Sequence, residues 1–209
     1  MTDNSEKVSW KPGTLLTPVP AVMVSCGNET TGYNIITIAW TGIINSKPPM
    51  TYISVRPERY SYNLIKESGE FVINITTRHL ARATDWCGIK SGEHFDKFRE
   101  MDLTPAPARH VSAPLITESP LNLECKVTEI KKLGSHDMFL AEIVSVNASK
   151  AYINSETGKF HIENSDPITY MHGHYYNVGK RIGGFGYTVM KKSTKERLKK
   201  QQSDNKKPE

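Results

Sequence analysis

The sequence predicts a mainly β protein, a Greek-key β-barrel with flanking helices. Through most of the chain, strand-like runs follow one another without helices between them. The clearest of these runs alternates apolar and small polar residues with the period of a strand. Helical spacing is confined to a short run before Gly69 and to residues 78–101.

Taken in order, residues 10–26 pass from a Pro-broken segment into a short apolar strand, AVMVS, and residues 28–32 form a turn. In NIITIAWTGI, Ile36, Ile38 and Trp40 alternate with Thr37, Ala39 and Thr41. One face therefore belongs to a core and the other is small and polar, a surface that a flat ring can approach closely. The turn signal Asn45-Ser46-Lys47-Pro48-Pro49 leads into MTYISVR, a second strand antiparallel to the first that ends at Arg56. Arg59 and Ser61 then open a helix that stops at Gly69, and EFVINI is a short apolar strand. A helix start of this kind gathers free backbone N–H groups, a guanidinium and a hydroxyl, which suits a phosphate. Residues 78–101 read as two helical pieces broken near Gly88 and Gly92, an insertion or lid beside the barrel. Residues 102–120, with Pro105, Pro107, Pro114 and Pro120, form a surface loop. Two long strands follow, joined by a hairpin at 134–137, and residues 154–173 are polar and irregular.

With 209 residues, 37% of them hydrophobic, the chain suits one well-buried domain, expected over residues 1–190. The formal charge of +5 sits wholly in residues 191–209, where eight Lys/Arg face three Asp/Glu; the remainder carries 19 of each sign. A neutral body with a basic, frayed or disordered tail argues against a nucleic-acid binder. The polar, acid-containing first residues have no apolar run behind them and no stretch is long enough for a membrane span, so a cytoplasmic protein is expected. Cys26, Cys87 and Cys125 are odd in number and lack Cys-x-x-Cys spacing, which suggests core thiols rather than disulfides or zinc. His172 and His174 lack a third ligand at a suggestive spacing, and no metal site is expected.

Several of these pieces together resemble the flavin reductase-like, FMN-binding split-barrel family, and within it the flavoredoxin branch. They are Asn34 ahead of Ala39-Trp40, the Ser46-x-Pro48-Pro49 turn, a strand ending Ser54-x-Arg56, Arg59-Tyr60-Ser61 before a helix, and Gly69-Glu-Phe-Val-x-Asn74. SGEHFDKF, PLNLECKV, GSHDMFLAEIV and YYNVGKRIGG extend the likeness to roughly residues 12–186. The resemblance implies a split barrel, an FMN cofactor and a homodimer with flavin sites near its interface. It further implies that Arg59 and Ser61 take the FMN phosphate, and that Asn34 and Ser46 bond polar ring or ribityl atoms. Thr37, Ala39 and Thr41 would line the flavin, and Arg56 and Lys97 would add positive charge near the phosphate or pyrimidine end. Trp40 either packs in the core or meets the isoalloxazine. His136 falls where relatives carry a His close to the flavin or nicotinamide, but Asp137 follows it where relatives often have Thr, and a carboxylate there would repel an anionic cofactor. Two functions fit: an NAD(P)H:flavin oxidoreductase, or an FMN electron carrier serving a redox protein partner. Since no Gly-x-Gly-x-x-Gly fingerprint is present, NAD(P)H would dock on the flavin rather than on a Rossmann unit.

Overall fold

A computed structural model describes residues 6–191 and Thr194. Apart from Lys191 and Thr194, the basic tail expected over 191–209 lies outside the described residues. The chain divides into two compact units between Val178 and Gly179. In the second, turns are closed by the bonds from Tyr187 N–H to Gly184 O and from Val189 N–H to Gly186 O.

The first unit is built mainly of strands: β1 (Val19–Pro20), β2 (Val22–Asn28), β3 (Gly32–Ile38), β4 (Thr41–Ser46), β5 (Pro49–Val55), β6 (Glu70–Ile75), β7 (Pro105–Ala106), β8 (Leu115–Ile116), β9 (Leu121–Lys132), β10 (Asp137–Ala148), β11 (Ile168–Met171) and β12 (His174–Asn177). Three helices accompany them, α1 (Tyr60–Ser68), α2 (Ala81–Ile89) and α3 (Lys97–Glu100). Seven strands form one antiparallel sheet in the order β3-β2-β6-β9-β10-β5-β4. Its two outer strands, β3 and β4, are consecutive in the chain, separated only by Ala39 and Trp40. The sheet therefore curls until its edges meet in one bent run, and the Ser54 N–H donates to Trp40 O at 2.9 Å across that corner. The two end strands are thereby brought together at this corner, while each keeps its own outer edge.

The barrel interior holds Val24, Ile36, Ile38, Ile53, Phe71 and Phe139, with Tyr62 and Ile65 of α1 packed on them. A second core, with Met23, Ile35, Cys87, Phe98 and Ile116, lies between β2, β3 and the helices α2 and α3. β3 is thus covered on both sides, and its small polar positions are where a helix approaches. Thr37 Oγ1 donates to Thr84 O of α2, and a Cβ on Gly88 would come within 3.2 Å of Thr37 Cβ. The break expected near Gly88 and Gly92 falls between Ile89 and Lys97; Gly88 itself lies in the last turn of α2, where its lack of a side chain permits the close approach. The other helix ends as expected, with Gly69 at φ 67° donating its N–H to Ile65 O.

Residues 154–173, expected to be irregular, contribute β11, which joins β1 and β12 in a three-stranded sheet. Polar composition hid this element because short strands at a surface need little apolar surface of their own. The proline-rich loop is fastened by buried carboxylate and amide groups. Glu124 accepts from the N–H groups of Arg109 and His110 and from Asn147 Nδ2, while Asn74 Oδ1 accepts from Ile116 N–H and Asn122 Nδ2. Among the described residues no helix is long and apolar enough to cross a membrane.

Phe139 is fully buried and touches the barrel core from β10. Phe139→Ala is expected to cost about 3–5 kcal/mol in urea unfolding, whereas Leu133→Ala, in an exposed turn, should change stability by less than about 0.5 kcal/mol.

Candidate functional site

Two clefts open side by side along β3 and the start of α1. The larger, of about 420 Å³, has a floor of Ile36, Thr37, Ile38 and Ala39. The bend between β3 and β4 turns Trp40 out of the core, leaving it 43% exposed on the cleft wall. There its ring meets His136 of the β9–β10 turn at a centroid distance of 4.4 Å. Across the cleft stand Tyr170 and Tyr175 of the β11–β12 hairpin, their rings 5.4 Å apart, with Asp85, Gly88 and Ile89 of α2 beside them. Tyr175 hydroxyl donates to Asp85 Oδ1 at 3.3 Å; burial first, and then the carboxylate, push the phenol up to about 12. Arg56, the residue after β5, lies at the cleft, and burial together with that guanidinium lowers the His136 imidazole below its ordinary value, which favours the neutral form at pH 7.

The smaller cleft, of about 140 Å³, is rich in donors. Arg59 is the residue that precedes α1, and no side chain caps that helix start. Its N-terminal end therefore faces the cleft with Ser61 on its first turn. Lys90, Ser91 and Gly92 form the opposite lip, and Lys97 lies beneath, 2% exposed. The Lys97 ammonium donates to Ile35 O at 2.7 Å and to Cys87 O at 2.8 Å. Asn34 Nδ2 donates to Ser61 Oγ at 2.7 Å, whereas its buried Oδ1 has no partner among the described residues. Turning the amide over would let Ser61 donate to Oδ1 and would present Nδ2 to the cleft as one more donor. Gly92 is required here, since a Cβ at that position would lie 2.1 Å from Asn34 Oδ1.

Arg59, Ile36 and Ile89 line both clefts, so the two form one continuous depression. The Arg59 Nη2 donates to Gly88 O at the C-terminal end of α2, which fixes the guanidinium at the junction. An elongated ligand with a flat ring at one end and an anionic group at the other matches this division. Burial holds the thiols of Cys26 and Cys87 at about 12 and about 11, so neither is a nucleophile at neutral pH.

Of the residues singled out in the sequence, Thr37, Ala39, Trp40, Arg56 and His136 line the larger cleft. Asn34, Ser61 and Lys97 line the smaller, and Arg59 borders both. Thr41 lies in β4, buried, with its hydroxyl donating to Tyr52 O at 2.5 Å. Ser46 is at the far end of β4, exposed and paired with Pro49. Neither Thr41 nor Ser46 lines a cleft. Asp137 does not crowd the site either, because its carboxylate turns inward and accepts the Tyr62 hydroxyl proton at 2.6 Å. The hydrogen bond first, and burial after it, raise the Tyr62 phenol. His172 and His174 flank Gly173 in the β11–β12 turn, and among the described residues no group of three metal-ligating side chains is assembled.

Sequence reasoning did not single out Asp85, Gly88 and Ile89 of α2 or Tyr170 and Tyr175 of the hairpin. Their signal was partial: the segments SGEHFDKF and YYNVGKRIGG marked the neighbourhood, but nothing local tells which residues of a helix or hairpin fold back over a distant strand.

The flavoredoxin of Desulfovibrio vulgaris (Miyazaki F) has a similar structure, with a TM-score of 0.81 and 33% identity, covering 88% of this chain and all of that one. The flavoredoxin from Methanosarcina acetivorans superimposes with a TM-score of 0.79 at 26% identity, covering 89% of this chain and all of that one. In sequence, an uncharacterized protein of Archaeoglobus fulgidus is 31% identical over 137 residues, 66% of this chain and 76% of that protein. The flavin reductase like domain is matched over residues 14–179, which take in every strand of the barrel and both clefts, and the chain belongs to that family.

Proposed function

We propose that this chain is an FMN-binding flavoprotein that works as an NAD(P)H:flavin oxidoreductase, with the flavin ring in the larger cleft and the phosphate in the smaller. The observation that carries this reading is the junction at Arg59, where a ring-sized depression walled by aromatic side chains continues into a cleft lined by Arg59, Lys97 and Ser61 at an uncapped helix start. The residues present fit the group. Arg59, Lys97 and Ser61 supply two charges and a hydroxyl for a phosphate, and the uncapped start of α1 adds backbone N–H groups. Asn34 carries a buried polar atom that the protein itself leaves unpaired.

When bound, the flavin supplies the chemistry, accepting a hydride from the reduced pyridine nucleotide and passing its electrons on. The protein's part is to bind, orient and exclude water. Thr37 and Ala39 keep the floor low enough for a flat ring, and the bond from Thr37 to α2 holds that floor rigid. Trp40 with neutral His136 on one side, and Tyr170 with Tyr175 on the other, leave a slot that favours planar molecules. No side-chain nucleophile is needed for hydride transfer, in keeping with the protonated thiols beneath the site. The likeness to the flavoredoxin of Desulfovibrio vulgaris, at 33% identity over the whole of that chain, favours a second reading as an FMN electron carrier that exchanges electrons with a protein partner. We also propose a homodimer, supported by exposed Ile43 and Ile44 on β4, an apolar stretch that a second copy would cover.

Oxidation of NADH or NADPH, followed at 340 nm with added free flavin, separates the two readings: turnover marks the oxidoreductase, and a yellow protein without turnover marks the carrier. Mass spectrometry of the released cofactor is expected to show FMN, and FAD would overturn that assignment. Arg59→Ala should weaken FMN binding by about one to two decades, the loss of a charge-assisted contact of roughly 1.5–3 kcal/mol, and the titration should be paired with a thermal unfolding control.

A further inference from the structure

The floor of the smaller cleft is cationic and lacks an anion. Lys97 is buried, and its two hydrogen bonds go to backbone carbonyls, neutral dipoles that leave one ammonium proton for the cleft. Among the described residues no carboxylate comes within ion-pair distance of Nζ. The groups that face it are Cys26 of β2, Cys87 of α2 and Arg59 ahead of α1. On its own helix Asp96 accepts from Arg99 N–H, and Arg99 pairs with Glu100; Glu58 and Lys90 stand on the cleft walls. A buried ammonium without a counter-ion is costly. The second observation is Asn34, 2% exposed, whose amide has an unpartnered atom in the same cleft and, turned over with Ser61 donating to Oδ1, offers Nδ2 to an anion there.

We infer that Lys97 keeps its proton to higher pH when the phosphate of the flavin occupies the smaller cleft, and takes one up from solvent where the free protein has lost it, so that affinity for the phosphorylated flavin is gated by pH. The inference rests on the flavin reading above. The proton comes from solvent and settles on Nζ, and no other bond changes. Burial pushes the amine down to about 8 in the free protein, with Arg59 adding to that effect. A dianion beside the amine favours the charged form and raises that value again. By linkage, affinity is fully developed below the free-protein value and falls as pH rises past it, until the value in the complex is reached. The ligand's phosphate and three neighbouring side chains titrate outside this window. The phosphate completes its second ionisation near pH 6, His136 lies below its ordinary value, and Cys26 and Cys87 stand at about 12 and about 11.

The test is fluorescence titration of the full chain, freed of cofactor, with FMN and with riboflavin, the same ring without the phosphate, from pH 6.5 to pH 9.5. The dissociation constant for FMN should rise about tenfold between pH 7 and pH 9, while that for riboflavin should stay nearly flat. Lys97→Arg, permanently charged, should bind FMN with a flat profile. Should that variant fail to fold, calorimetry of the unaltered protein at pH 8.5 in two buffers of different ionisation enthalpy decides the matter, with proton uptake expected for FMN and none for riboflavin. Equal pH slopes for the two ligands, or a slope retained in Lys97→Arg, would overturn the inference and leave the flavin reading standing. Absence of FMN binding at every pH would overturn the flavin reading itself.

Discussion

The structure depends on the closure of its sheet at Ala39–Trp40. β3 pairs with β2 at one edge and β4 with β5 at the other, and both are halves of the same bent run. The bond between Ser54 N–H and Trp40 O fixes the bend. One device therefore does two things: it joins the two end strands of a seven-stranded sheet at one corner, and it turns Trp40 out of the core at the place where the larger cleft forms. A barrel closed elsewhere would leave Thr37, Ala39 and Trp40 as ordinary strand residues.

The second constraint is the approach of α2 to β3. Gly88 allows the helix to come close enough for Thr37 to reach Thr84 O and for Arg59 to reach Gly88 O. The helix also brings Cys87 O to Lys97, which spends two of its three ammonium protons on the backbone of α2 and β3. The cations of the smaller cleft are thus held by carbonyl dipoles, with protonated thiols beneath them, and their charge stays uncompensated toward the ligand side.

Much of this was legible in the residues. The alternation in β3, the Gly69 stop of α1 and the two long strands of the hairpin have local causes, namely period, a left-handed cap and β-rich composition, and local causes are what a sequence displays. The pairing of Arg59 and Ser61 at one helix start could also be read, because a cation and a hydroxyl there have a recognisable pattern, whereas the bond from Asn34 to Ser61 had no such signal. Ser46 and Thr41 show the limit. Both are expected at the flavin, yet neither lines the two clefts, since the direction of a side chain beyond a strand bend is set by pairing with β5, which no local pattern encodes. The same holds for Tyr175, which reaches Asp85 across 90 positions of sequence, and for Gly88, whose role appears only when β3 lies against α2.

Asp137 and its neighbour carry one more consequence. The carboxylate is buried and bonded to the Tyr62 hydroxyl, and Tyr62 in turn packs edge-on against Phe139 at 5.3 Å. His136 is the preceding residue, so the backbone that carries the cleft wall is tied to the centre of the barrel. Swinging the imidazole away by moving the turn would require breaking a charge-assisted bond inside the core. The wall is therefore preorganised, and a planar guest meets a slot whose conformational entropy was already given up when the chain folded.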